Sequence, residues 1–420
     1  MDTLDTPDRH VLFLNWRDSD NPEGGGSEVY VERIAGELVT RGHRATLLCA
    51  AHSGAPAEEV TAAGVRIVRR GGRRTVYLFA ALTYLAGWLG LGPLARRHSG
   101  RVDLLVDVCN GMPFFTPWYA RRPVIALVHH VHREQWPVVL GARGARFGWW
   151  VESRLSVWTY RNCRYVTVSA ATREELAQLG VAPERVTVVH NGTPELVRSA
   201  ERSPEPSLVV LGRLVPHKRV EIALHTVAAL VGRFPGLQLV VAGQGWWESQ
   251  LRRLATELNI ADRVRFAGFV SHQEKQELLS WAWLALTPSL KEGWGLTIVE
   301  AGAVGTPTVA FRDAGGVTES VVDGETGLLA HDEADFTARV EELLADSDHR
   351  RAMGTAARKH AAQFTWTASG ERFAEVVAAV LPPAATTPTA APATDCRRPG
   401  AVPARSWFHW RLRFRSTPPA

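Results

Sequence analysis

Short runs of valine, isoleucine and leucine alternate along this 420-residue chain with helix-length amphipathic segments. In the first half the apolar runs are 11–16 (VLFLNW), 45–50, 65–70, 103–109, 124–130, 165–169 and 186–190. They are continuous rather than alternating, the pattern of parallel strands covered by helices on both faces. A stretch with three prolines and mixed charge, 194–206, interrupts the pattern and reads as an interdomain linker. The pattern then restarts at 207–213, 237–243, 264–268, 284–289, 307–311 and 327–330. Two consecutive α/β domains, each a doubly wound Rossmann-like sheet, are therefore expected over 1–198 and 199–381. Beyond residue 381 a Pro/Ala/Thr tract offers nothing to pack, so 382–420 is expected to be disordered.

Charge and cysteine content narrow the function. The formal net charge is +5, but only four of the 48 basic residues are lysines, and the arginines follow a general Ala/Arg/Gly bias. Nucleic acid is therefore not an expected partner. Four scattered cysteines, with no CxxC spacing, read as free thiols. The polar start carries no secretory signal pattern, and a cytoplasmic setting is expected. Residues 76–95 hold no charge and lie between arginine pairs. Their glycines and proline favour a core or surface helix over one that dips into or crosses a membrane. The segment 405–416 alternates basic and aromatic residues. It reads as a solvated tail, with attachment to an anionic membrane surface as the sharper alternative.

Candidate chemistry concentrates in the second half. In 286–311 a strand leads through a glycine-flanked loop into a helix, placing unpaired N–H groups at the carboxyl edge of a parallel sheet. Glu292 lies on that loop and Glu300 two turns into the helix, both suited to sugar or ribose hydroxyls, although a solvated helix face also gives such spacing. Arg213 and Lys218 stand at an earlier strand-to-helix junction, where two cations suit a diphosphate. In the first half, the glycine turn at 24–26 fits close approach of a ligand but is neither GxGxxG nor a P-loop. Three histidines, His129, His130 and His132, follow a strand. They could contact sugar or act as a base, and they lack partners at zinc-ligand spacing. Asp18-Ser19-Asp20 reads as a polar loop rather than a metal-binding DxD.

Together, EGGGSE (23–28), VVHNGT (188–193), GRLVPHK (212–218), GQG (243–245), EGWGLTIVE (292–300) and DAGGVTESVVDGETGLL (313–329) resemble motifs of the retaining GT-B glycosyltransferases of family 4. Six motifs in the same order are specific where any one is weak, and the resemblance covers most of 10–381. It implies two Rossmann-like domains facing across a cleft, with the last helix crossing back to the first domain. It also implies that Arg213 and Lys218 hold a donor diphosphate and that Glu300 binds the ribose. Glu292 and the backbone of Trp294, Gly295 and Leu296 would bind the donor sugar, with Gly243 and Gly245 as the glycine pair of the donor site. Gly25 and Gly26 would approach from the other domain. His129 is the first candidate, and His130 the second, for the histidine beside the reacting sugar. Three departures from the family pattern stand out: Trp294 for phenylalanine, Gln244 for aspartate, and Arg219 for the glycine after the lysine.

The resemblance implies transfer of a sugar from a UDP or GDP donor with retention of configuration and without metal or other cofactor. The acceptor would be a glycan, a lipid-linked molecule or a small molecule, and work at the inner face of a membrane would fit the uncharged 76–95 segment. The alternative is a sugar-nucleotide-binding or membrane-associated scaffold without catalysis.

Overall fold

The computed structural model describes residues 8–193 and 199–381. The 382–420 and 405–416 readings lie outside the described residues, as does part of the linker. The first sheet has eight strands: β1 (His10–Leu14), β2 (Arg44–Cys49), β3 (Glu58–Val60), β4 (Arg66–Arg69), β5 (Leu104–Val108), β6 (Val124–Val128), β7 (Arg164–Thr167) and β8 (Val186–Val188). Their order is β3-β4-β2-β1-β5-β6-β7-β8, parallel except for the β3–β4 pair. The second sheet holds β9 (Ser207–Leu211), β10 (Gln238–Ala242), β11 (Val264–Gly268), β12 (Leu284–Thr287), β13 (Thr308–Phe311) and β14 (Gly327–Ala330). It is wholly parallel, in the order β11-β10-β9-β12-β13-β14.

In each sheet the strand order reverses beside the lobe's first strand, between β1 and β5 and between β9 and β12. Helices leave both sides at such a point, so a crevice opens at the carboxyl ends of the strands. The central strands are buried on both faces: β1, β5 and β6 are buried throughout, which is why they read as unbroken apolar runs.

The last helix, Trp366–Val380, belongs by sequence to the second half but packs on helix Gly26–Thr40 of the first. Phe373 stacks near Phe13 with ring centroids 6.0 Å apart, and Arg41 donates to the Thr367 carbonyl at 3.0 Å. The two sheets and this strap form a single compact unit.

Residues 76–95 form a helix only from Val76 to Trp88. Gly90 and Gly92, both at positive φ, and then Pro93 end it. Among the described residues no helix is long and apolar enough to cross a membrane.

Candidate active site

Four loops meet at the crevice. The loop after β12 carries Glu292 and is pinned to the loop after β13: the Glu292 amide donates to the Ala314 carbonyl, and the Gly316 amide donates to the Glu292 carbonyl, each at 3.0 Å. Lys218, at the end of the turn Pro216–Lys218, donates to Glu292 Oε1 at 2.6 Å. Burial would raise the Glu292 pKa, but the Lys218 charge and hydrogen bond, with one from Ser289, hold it below the usual carboxylate range. Glu292 is thus a fixed anion beside a fixed cation.

Glu300 lies in helix Leu296–Ala303, 2 % exposed, and Lys275 of helix His272–Trp281 donates to its Oε1 at 2.5 Å. Its Oε2 is buried without a hydrogen-bond partner, an acceptor whose bonding capacity is unfilled. The spacing of the sequence gave no sign of Lys275, which comes from a neighbouring helix. Gly295, at φ 90°, is the N-cap of the helix that carries Glu300, so the first amides of that helix stand free at Leu296.

Arg213 is exposed in the loop after β9, and its guanidinium makes no hydrogen bond or ion pair among the described residues. A Cβ at Gly25 would lie 3.7 Å from Arg213 Nε, and one at Gly26 would lie 3.8 Å from Leu296. The glycine turn of the first lobe therefore faces the cation loop and the helix start of the second. Glu28 holds that turn in place. Its carboxylate is 1 % exposed as a residue and accepts from the Gly25 amide at 2.8 Å, Ser27 Oγ at 2.9 Å and Arg17 Nε at 3.3 Å.

The histidines sit on the opposite wall. His129 ends its strand 5 % exposed, edge-on to Tyr30 at 5.2 Å between ring centroids, and its Nε2 has no partner. Burial first, and then His132, lowers its pKa to about 3, so the ring is neutral at physiological pH. His130 pairs with Gln135 at 3.0 Å and stacks near His132, whose Nδ1 is 2.9 Å from Glu152 Oε1. His217, beside Lys218, Arg213 and Glu292, has its pKa lowered to about 4, chiefly by burial.

Several expected residues act through backbone or packing. A Cβ at Gly243 would fall 1.9 Å from the Gly212 carbonyl oxygen, and one at Gly245 would fall 2.0 Å from that of Leu214. These glycines let the 243–245 loop lie flat against the Arg213 loop. Trp294 is 2 % exposed, and its ring turns into a core shared with the first lobe, 4.5 Å from His190 and 4.8 Å from Phe364. Its side chain is a wedge between lobes, and only its backbone borders the crevice loop. Arg219 adopts φ 51°, which explains the usual glycine there, and its guanidinium pairs with Glu333 at 2.6 Å. Asp18 lies in a loop, as expected, but its carboxylate is fully buried there, accepting from Arg69 Nε at 2.5 Å and lying 3.1 Å from His52 Nε2. Among the described residues no group of three or more His, Cys, Asp or Glu is gathered in a way that could hold a metal ion.

Contacts between residues distant in the chain, some from the quoted motifs, join the lobes. Glu319 accepts from the amides of Ala170 and Ala171 at 2.9 and 3.0 Å, capping helix Ala170–Gln178, and lies 3.2 Å from His190 Nε2. Lys291 pairs with Glu175 of the same helix.

Two adjoining family models match this chain: Glycosyltransferase Family 4 over residues 24–195 and Glycosyl transferases group 1 over residues 194–360. A D-inositol 3-phosphate glycosyltransferase of Corynebacterium efficiens is 36% identical over 231 residues, 49% of this chain and 54% of that protein. The chain thus spans about half the length of that relative. A GDP-mannose-dependent alpha-(1-6)-phosphatidylinositol monomannoside mannosyltransferase of Mycolicibacterium smegmatis is 29% identical over 389 residues, 85% of this chain and 95% of its own. Among solved structures, Anabaena Alr3699/HepE in complex with UDP and glucose superposes with a TM-score of 0.67 at 19% identity, covering 88% of this chain and 100% of that one. With two facing parallel-sheet lobes matched by adjoining models, the chain belongs to the family 4, group 1 glycosyltransferases and has the GT-B fold.

Proposed function

We propose that this protein transfers a sugar from a UDP- or GDP-linked donor to an acceptor, with retention of configuration and without a metal. The observation that carries the reading is the pairing of each crevice carboxylate with one lysine, Glu292 with Lys218 and Glu300 with Lys275, beneath the unpaired Arg213. Glu300 Oε2 takes a ribose hydroxyl, and Glu292 orients the donor sugar. Arg213, Lys218 and the free amides at Leu296 receive the diphosphate and stabilise its charge as it leaves. Gly25 and Gly26 let the first lobe close over it. The neutral His129 offers its unpaired Nε2 to a sugar hydroxyl. The GDP-mannose-dependent relative and the UDP-bound neighbour support a nucleotide-sugar donor.

Retention by double displacement needs a carboxylate nucleophile. Glu28, the carboxylate of the glycine turn, is already held by three donors, which favours attack from the face of the leaving group. The acceptor oxygen bonds to the anomeric carbon as the bond to phosphate breaks, and the acceptor proton passes to a phosphate oxygen. The test is incubation with UDP- and GDP-sugars and candidate acceptors, following nucleoside diphosphate release and the anomeric proton coupling of the product. Release with an α product from an α donor supports the reading, whereas an inverted product refutes retention and no release from any donor refutes catalysis.

A further inference from the structure

The first lobe carries a face that the sugar-transfer reading does not use. Along the helical stretch 136–159, Leu140, Phe147, Trp150 and Trp158 are 49, 60, 51 and 56 % exposed, with exposed Arg143 and Arg154 between them. The helix breaks at Gly141 (φ 66°), just after Leu140; beyond the break, spacings of three and four place Arg143, Phe147 and Trp150 on one side, and Arg154 and Trp158 follow across the π-helical turn Val151–Ser156. The guanidinium groups of Arg143, Arg146 and Arg154 make no hydrogen bond or ion pair among the described residues. From 140 to 164 there are five arginines and a single carboxylate, Glu152. That carboxylate turns inward, accepting from the His132 amide at 3.0 Å and from Trp136 Nε1 at 2.7 Å. The outer face is therefore aromatic and cationic, with no acid of its own.

The surface continues beyond this stretch. Trp158 and Arg161 line an open cavity of about 670 Å³ together with Trp118, itself 58 % exposed, and Arg122. Next to Arg122, the Arg121 guanidinium lies 4.4 Å over the ring of Trp88, which ends helix Val76–Trp88. That helix exposes Leu78 and Leu82, and no aspartate or glutamate occurs from 61 to 102.

We infer that this tryptophan- and arginine-bearing face of the first lobe docks on the surface of an anionic lipid bilayer. Tryptophan rings settle at the headgroup level, and arginines reach lipid phosphates while their stems lie along apolar surface. A second copy of the chain packed face to face would oppose arginines to arginines without an acid between them, which disfavours self-association. The docked stretch is joined to the crevice, because Glu152 on its inner side holds His132, whose ring lies 4.1 Å from that of His130. Docking would thus set the crevice at a fixed height above the lipid.

The test is co-sedimentation of the full chain with vesicles of phosphatidylcholine alone or with about one third phosphatidylglycerol, at low and high salt. The face predicts pelleting with the anionic vesicles, weakened by salt. Arg143→Glu/Arg154→Glu should weaken it by roughly tenfold or more, given the energy of each arginine at a charged surface. Phe147→Ser/Trp150→Ser/Trp158→Ser should weaken it similarly, and both variants should bind UDP or GDP as the wild type does. The inference fails if the wild type ignores anionic vesicles at low salt or pellets equally with neutral ones. It also fails if the charge variant pellets like the wild type, which would move the contact to residues 382–420. A wild-type dimer made monomeric by the aromatic variant would show a protein interface instead.

Discussion

Gly293 stands where the two lobes touch, and adding one methyl group there tests whether their spacing governs turnover. A Cβ at Gly293 would lie 2.5 Å from the His129 carbonyl oxygen and 3.2 Å from its carbon. Backbone is on both sides, so no flexible side chain can yield. Gly293 is not among the residues at positive φ, so alanine meets no conformational strain and the clash is isolated. To reach an ordinary contact of roughly 3.4 Å, the lobes must part by about 0.9 Å at this point. Glu292 moves with them, because its amide and carbonyl are tied to Ala314 and Gly316. Gly293→Ala should cost about 2 kcal/mol of stability, as overpacking does. It should lower turnover on the order of 100-fold through misplacement of the donor sugar against His129. In the proposed site the nucleoside diphosphate rests on Arg213, Lys218, Glu300 and the Leu296 amides, all of the second lobe, so its affinity should change only a few-fold. The assay is donor turnover beside calorimetric titration with UDP and GDP. Wild-type turnover in Gly293→Ala would refute the lobe contact, and equal loss of binding and turnover would place the defect in the donor loop itself.

Two further outcomes follow from the same geometry. Glu319→Ala removes the cap of two helix amides and the partner of His190, and should lower unfolding stability by about 1–2 kcal/mol in a denaturant titration, with Glu319→Gln recovering part of the loss. Stability should also fall on acidification: His10, with a pKa lowered to about 4, and His129, lowered to about 3, are both buried. Each binds a proton more readily in the unfolded chain, so stability is full above about pH 7 and declines as pH drops below the unfolded value near 6.5. At pH 5 each should cost about 2 kcal/mol, and stability that is flat from pH 7 to 5 would contradict their burial as neutral rings.

The strands were legible because burial on both faces leaves no room for polar alternation, so thirteen of them show as apolar runs in the chain. β3 escaped notice: Glu58–Val60 is a three-residue edge strand of sequence EEV, with no apolar signal to carry it. The motif residues were legible because loops at the carboxyl edge of a parallel sheet combine glycine with isolated charge, as at Gly293–Gly295 around Glu292. Their partners were not. Lys275 reaches Glu300 from the preceding helix, Glu319 reaches the Ala170 amide from the other lobe, and Glu28 folds back on its own turn. The first two have no period or spacing in the chain, whereas Glu28 stands three residues after Gly25 in the arrangement of a capping box. The Trp294 ring likewise shares its loop with the site but packs into the lobe junction, a direction that only the folded backbone determines.

The central claim is a nucleoside diphosphate site in the second lobe, built on Arg213, Lys218 and Glu300. Calorimetric titration of UDP and GDP into the wild-type chain and into Glu300→Ala tests it most directly. Binding of one nucleotide, weakened by roughly tenfold or more in Glu300→Ala through loss of a charge-assisted hydrogen bond, is the expected result. Equal affinity in both proteins, or no binding of either nucleotide to the wild type, would contradict it.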